Sequence, residues 1–472
     1  ERLPVRPILR GVIEEVGIVE STRVYTCTAI SIGGGKVEQV RVARVLGEPE
    51  DTRVWPGYAS RTPGRRPQVL FDPVNGMPAY PFLRPHLGRR PPFAPGHGPA
   101  PYLDPTSGAG LPAPGADGPA SVCPAGTTLV PLPVTALLTP VQLAAAITDP
   151  HGELYVRNEE LASYRANVRQ RAPLVVRARA QRECIDVTLV SALSDDAETH
   201  GLSKADMHIH FVQFDVQGSD GVVAGFNAEQ SVRPWRTAAV ALAAPAPAGT
   251  RVLQLQGIPK CQAGETLALG PERPEGAEVV KVTAVRGSTV TLQAPVLSAH
   301  PAGEPTTTEF VRYRWYPDAQ TGTAYFHDHV DALNSWRHGL FGALVVEPPD
   351  ATWTDPSDGA PLSSGALADI TTRGSVGIDE TGSFRELVAL LQDDVRVNQS
   401  AHSQGGALGQ RASPALGKPG APAAVVRAYV GDPVVLRTLV PATNDIHTLF
   451  VEGHHFRTEA WSRTSPPVNA VH

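Results

Sequence analysis

Two short histidine pairs define the chemistry this chain could perform. His208-Ile209-His210 lies in the run 207–214, Met-His-Ile-His-Phe-Val-Gln-Phe, and His327-Asp328-His329 closes the run 324–329, Ala-Tyr-Phe-His-Asp-His. On a β-strand the side-chain period is two, so each pair presents both imidazoles on one face. Four neutral nitrogen donors suit copper or zinc, whereas magnesium or calcium would call for oxygen ligands. A single such pair is more often a surface strand with two unrelated histidines. The repetition of the spacing turns the reading toward a metal.

The elements that must position these pairs are strands. Gly and Pro number 44 and 46 among 472 residues, a load that interrupts helices and favours turn-rich β structure, so an all-β fold is expected. Runs rich in β-branched residues at 173–177, 184–190, 207–216, 309–315 and 342–347 read as strands of one domain over 127–350. Within it, 238–303 reads as a small inserted β module, bounded by Ala-Pro-Ala-Pro-Ala-Gly at 244–249 and Ala-His-Pro-Ala-Gly at 299–303. Residues 1–126 combine a β hairpin about Gly33-Gly34-Gly35 with a long Pro-rich extended arm. Residues 351–383 read as a linker, and 384–472 as a second β domain that is incomplete when the sequence stops.

Composition removes several classes of function. The charge sum is 41 − 47 = −6, and charged residues make up 19%, which leaves no basic field for holding nucleic acid. No apolar stretch approaches the roughly 20 residues of a membrane-spanning helix. The four cysteines, Cys27, Cys123, Cys184 and Cys261, form no C-x-x-C pair, and their spacing assigns no disulfide. The chain opens on Glu1 without a signal-peptide pattern, which reads as a removed leader or a trimmed start.

The surroundings of the second pair carry a family likeness. Arg314-Trp-Tyr-Pro-Asp318, then Gly322-Thr-Ala-Tyr-Phe-His-Asp-His329, then His338-Gly-Leu-Phe-Gly342 and a closing apolar strand resemble the multicopper oxidases, with His208-Ile-His210 where the earlier pair of the same cupredoxin domain belongs. The resemblance implies tandem cupredoxin-like Greek-key β-sandwiches. It implies His208 as a type-2 copper ligand and His210, His327 and His329 as type-3 ligands. Phe211 stands where the family often has Gly. A third cluster, Asn444 to Phe456, resembles the family's carboxy-terminal motif, with His447 at the type-1 position. Phe450 and Glu452 occupy two trinuclear ligand positions, so this copy looks degenerate, and no H-C-H occurs anywhere. The resemblance therefore implies that the other half of the trinuclear cluster, and the type-1 copper, come from further cupredoxin domains in the same polypeptide or another subunit.

The Pro-rich arm and the β insert look most like the large bacterial members related to manganese oxidases. That placement implies an extracytoplasmic oxidase, reducing dioxygen to water at the expense of a small reducing substrate or metal ion such as Mn(II). The competing expectation is a non-redox copper-binding or structural cupredoxin subunit of a larger assembly. His86, His97, His151, His200, His300 and His402 read as solvated loop residues, His454 and His455 as structural, and Asp328 and Asp331 as solvated surface in preference to groups that orient imidazoles or receive a cation. His338 reads as a residue that could support the second pair from behind.

Overall fold

The computed structural model describes the strands at 11–19, 22–30 and 37–42, and then 123–166, 173–194, 204–211, 231–373, 382–392, 396–402, 428–442, 448–458 and 464–471, less a few positions within these ranges. The Pro-rich arm lies outside the described residues. Two compact units emerge. One carries β1 (Gly11–Val19), β2 (Thr22–Ile30) and β3 (Val37–Val42), an antiparallel sheet in that order.

The second unit is built on a sandwich. Its strands are β4 (Thr128–Leu138), β5 (Val141–Ala144), β6 (Ile147–Asp149), β7 (Glu153–Arg157), β8 (Leu174–Arg179), β9 (Glu183–Ala192) and β10 (His208–Ile209). After the insert follow β17 (Val311–Trp315), β18 (Gly322–His327) and β19 (Phe341–Glu347). One sheet runs β17-β9-β4-β7 and the other β10-β18-β19-β8. The pairs β4–β9 and β8–β19 are parallel, which requires the chain to cross between sheets rather than meander. Val134, Ile185, Val187 and Leu189 of the first sheet meet Leu174, Phe326, Leu344 and Val346 of the second in one core. Cys123 and Cys184 form a disulfide beside this sheet, a pairing that spacing could not give. Cys261 is a buried thiol.

Strands covered on both faces read as unbroken apolar runs. In β9, Ile185, Val187 and Leu189 face the sandwich core, while Val190 packs on the other side with Trp235, Ala268 and Phe310. In β19, Leu344 and Val346 face inward, while Phe341, Ala343 and Val345 pack against Val388, Leu390 and Leu439 of a further sheet.

The insert comprises β11 (Val240–Ala241), β12 (Val252–Gln254), β13 (Thr266–Leu269), β14 (Glu278–Arg286), β15 (Thr289–Leu292) and β16 (Pro305–Thr307), ordered β11-β16-β13-β14-β15-β12. A bridge between Leu242 and Leu255 joins the two edges and closes a barrel around Leu253, Leu269, Val282 and Val290. His300, expected in solvent, is buried there between the carboxylates of Glu278 and Glu304, at 3.0 and 2.7 Å.

The further sheet holds β20 (Thr352–Thr354), β21 (Leu367–Thr371), β22 (Ser383–Gln392) and β25 (Val434–Ala442) in that order; β23 (Arg396–Asn398) and β24 (Ala401–His402) pair separately. The segment 351–383, expected as a linker, thus contributes two strands. Ala351, Ala368 and Ile370 are buried with Phe384, and their short alternation is masked in the sequence by the surrounding Gly and Pro. This sheet is tied to the sandwich by buried charge. Arg177 donates to Glu347 Oε1 at 2.9 Å and to Glu386, Arg437 donates to Glu386, and all four side chains are nearly inaccessible. Burial and the neighbouring Glu386 carboxylate push the Glu347 carboxyl up to about 8.

Two helices matter below: α1 (Leu161–Ala166) and α2 (Ala332–His338), the latter ending in Gly339 at φ +104°, a left-handed cap that glycine adopts at little cost.

Candidate metal centre

Register brings the two histidine pairs together. β10 runs antiparallel to β18 with His208 opposite His327 and Ile209 opposite Phe326. Ile209 and Phe326 turn into the sandwich core, which pins the register, because a one-residue slip would drive imidazoles into that core. The ladder continues one residue further, the His210 N–H donating to the Tyr325 carbonyl at 2.8 Å. Beyond it Phe211 sits at φ +62°, 72% exposed. A glycine would adopt that left-handed backbone at little cost, whereas a phenylalanine holds it under strain.

The donor atoms of His208, His210 and His327 all lie within 4.8 Å of one another. His210 Nε2 and His327 Nε2 approach to 2.8 Å. The His329 ring lies 4.3 Å from that of His208 and 5.8 Å from that of His327, centroid to centroid. All four predicted imidazoles are thus gathered at one end of the β10–β18 edge. His447 lies outside the described residues. His454 and His455 are exposed on a turn, with the His454 ring donating to the Glu452 carbonyl at 2.9 Å.

Neighbouring groups fix the rings. His327 Nδ1 donates to the Asp328 carbonyl at 2.8 Å, which commits Nε2 to the cluster side. Trp336 Nε1 donates to the same carbonyl, and its ring stands edge-on to His327 at 4.3 Å. Tyr325 stacks on His210 at 4.4 Å with 10° between planes. The His329 N–H donates to Asp206 Oδ1 at 2.6 Å, and the Asp206 N–H donates to Asp328 Oδ1 at 3.1 Å. Asp328 Oδ2 accepts from the Asp331 N–H at 2.9 Å and Ser335 Oγ at 2.8 Å, and Tyr155 donates to the Asp206 carbonyl.

Asp328, expected on the surface, is therefore a fully buried rivet beneath the second pair. The sequence favours a solvated surface for Asp328 over an orienting role, and does not single out Asp206 at all. The available signal was position: an acid between two ligands, and another two residues before the first pair. His338, expected to back the second pair, instead turns its Nδ1 to Asp149 Oδ2 at 2.8 Å.

The electrostatics suit neutral donors. Burial pushes the His327 imidazole down to about 3, and burial with the neighbouring His208 and His329 lowers His210. Neutral imidazole is the form that ligates copper or zinc, and three imidazole nitrogens within 4.8 Å of one another are a fit donor set for either ion. Among the described residues no cysteine joins the cluster.

No family model matches the chain, and no curated protein matches it. Among solved structures, a multi-copper oxidase from Pseudomonas Thermotolerans aligns over 57% of this chain and 44% of its own, at 14% identity and a TM-score of 0.19. The tailspike of Pseudomonas phage phi297 aligns over 18% of this chain and 14% of its own, at 21% identity and a TM-score of 0.13. The chain thus spans less than half the length of either of these solved structures, and at these TM-scores neither likeness carries a structural argument. The all-β fold and the imidazole cluster stand on the geometry above.

Proposed function

We propose that this chain supplies one half of the ligands of a copper cluster, in an assembly that couples one-electron oxidation of a reducing substrate to four-electron reduction of dioxygen to water. The observation that carries the reading is convergence: two H-x-H pairs, more than a hundred residues apart, place three donor nitrogens within 4.8 Å. By the motif likeness, His208 would hold a type-2 copper and His210, His327 and His329 the type-3 pair. Copper bound there would supply one-electron chemistry, for which neutral imidazole is apt because it accepts both Cu(I) and Cu(II).

The chain's own part is positioning. The Asp328 carbonyl sets the His327 tautomer, the Asp206 carboxylate holds the backbone of His329, and Tyr325 and Trp336 flank His210 and His327. The remaining cluster ligands, and a type-1 copper with its Cys thiolate, would come from further cupredoxin domains in the same polypeptide or a partner subunit. Mn(II) is the proposed electron donor, with phenols next in line. An extracytoplasmic site of action is supported by the Cys123–Cys184 disulfide. Among the described residues no helix is long and apolar enough to cross a membrane.

A second reading is favoured by one observation: the three-histidine group is compact enough to take a single copper or zinc ion without any partner. Metal analysis with electron paramagnetic resonance separates the two. The oxidase reading expects copper binding and oxygen consumption that depend on added cupredoxin domains and vanish in His208→Ala and His327→Ala. One tightly held ion on this chain alone, with no oxygen consumption in any assembly, would favour the second.

A further inference from the structure

A buried knot of four charged side chains joins the sandwich to the β20-β21-β22-β25 sheet, two from each side. Arg177 on β8 and Glu347 at the end of β19 belong to the sandwich, Glu386 on β22 and Arg437 on β25 to the further sheet. Arg177 Nη1 donates to Glu347 Oε1 at 2.9 Å and also to Glu386 Oε2, so two carboxylates converge on one nitrogen. Glu386 Oε1 accepts from Arg437 Nε. The buried Glu347 Oε2 makes no hydrogen bond, its approach to Arg437 Nη2 stopping at 3.8 Å. The side chains of Arg177, Glu347 and Glu386 are sealed from water, and that of Arg437 nearly so.

The two acids are unequal. Glu386 accepts from both guanidiniums and Glu347 from one, and two adjoining carboxylates shut away from water do not both ionise cheaply. Burial beside Glu386 therefore puts a proton on Glu347, while the arginines keep their charge throughout. The neighbouring charges are already matched. Arg179, opposite Glu347 in the β19–β8 ladder, pairs with Glu183, and Asp369 and Arg385 pair with each other on the far face of the second sheet. From β18 the Gly322 backbone closes in, a β-carbon there lying 3.5 Å from Arg437 Nη1. The rest of the joint is apolar: Val175, Phe341, Ala343 and Val345 meet Val388, Leu390 and Leu439, and Tyr325 and Trp336 pack against the same cluster. Apolar contacts are indifferent to protons, so the knot is the part of the joint whose fit depends on pH.

We propose that the knot is a proton-operated latch: with its proton, Glu347 holds the further sheet against the sandwich, and release of that proton to solvent lets the sheet come away while the sandwich stays folded. In the open joint Glu347 meets water and ionises as an ordinary carboxyl, near 4.5, whereas in the closed joint it keeps its proton up to about 8. Opening is thus coupled to proton release, so the open population grows as pH climbs through that window and levels off above it. An open joint also bares Tyr325 and Trp336, the rings that flank His210 and His327. The latch stands apart from the oxidase reading, because none of its four residues belongs to the imidazole cluster.

The test is amide hydrogen exchange of the full chain at pH 6 and pH 8.5, followed by mass spectrometry and corrected for the intrinsic pH dependence of exchange. Between these values the wild-type peptides covering β22 and β25 should lose protection by at least about tenfold, while those covering β4 and β9 keep theirs. Glu347→Gln, which has no proton to release, should hold β22 and β25 equally protected at both pH values. Unchanged protection of β22 and β25 in wild type, an equal loss in β4 and β9, or a Glu347→Gln protein that opens with pH as wild type does would each overturn the latch. Should Glu347→Gln fail to fold, Glu386→Gln serves in its place. It removes the carboxylate that keeps Glu347 protonated, so the loss of protection should shrink, and a loss as large as in wild type would count against the proposal.

Discussion

Replacing Asp328 by alanine tests how the imidazole cluster is held. The fully buried carboxylate accepts three hydrogen bonds: from the Asp206 N–H at 3.1 Å, the Asp331 N–H at 2.9 Å and Ser335 Oγ at 2.8 Å. Alanine strands the two backbone N–H donors, each at about 1–3 kcal/mol when buried and unsatisfied, while Ser335 Oγ still has the Asp331 carbonyl at 3.0 Å. Part of this is returned, because burial disfavours the charged carboxylate and raises its pKa. A net loss of about 3 kcal/mol is expected, equivalent to a fall of roughly 6–12 °C in melting temperature for a unit of this size. Asn should lose about half as much, since it keeps one acceptor oxygen. The Asp328 carbonyl that orients His327 is not deleted, but its anchor is, so copper affinity should drop about 10–100-fold. Thermal unfolding by circular dichroism and competition with a chromophoric Cu(I) chelator measure the two effects. A D328A protein that melts with wild type and holds copper equally well would refute the positioning argument.

Three other perturbations follow from the same geometry. Phe211→Gly should stabilise the protein by up to about 1 kcal/mol in urea unfolding, since a left-handed residue loses its β-carbon conflict and the exposed ring buries little; a clear loss would mean the ring is held by contacts that matter. Gly342→Ala should cost about 3 kcal/mol or more, because its methyl would sit 2.5 Å from the Leu174 carbonyl oxygen within the β8–β19 ladder and against the Phe326 ring; a neutral melting temperature would contradict that packing. Glu347→Gln should help most at alkaline pH. Between the unfolded carboxylate range, near 4.5, and about 8 the folded state keeps a proton that the unfolded state has released, so wild-type stability falls as pH rises through that window. Unfolding at pH 5 and pH 8.5 should show the larger gain at 8.5, and equal effects would dismiss the shifted carboxyl.

What the sequence made legible follows from which forces are local. The H-x-H pairs were readable because strand periodicity alone places both rings on one face, and β9 and β19 because burial on two faces writes an unbroken apolar run. Register was not local: nothing in either pair states that His208 faces His327, which depends on Ile209 and Phe326 sharing a core. Asp328 read as surface because an isolated acid usually is one, and only the tertiary donors around it make its burial tolerable. His300 was misread for the same reason, its carboxylate partners lying at Glu278 and Glu304 across the barrel. The strands β20 and β21 escaped notice because two short pairings among Gly and Pro carry too little periodicity to register.

The central claim, that His208, His210 and His327 jointly ligate copper, is met most directly by X-ray absorption on the copper-loaded protein. The account predicts a shell of imidazole nitrogens at about 2.0 Å, collapsing to weak surface ligation in the His208→Ala/His327→Ala protein. A shell dominated by oxygen or sulfur, or one that survives that double replacement unchanged, would contradict it.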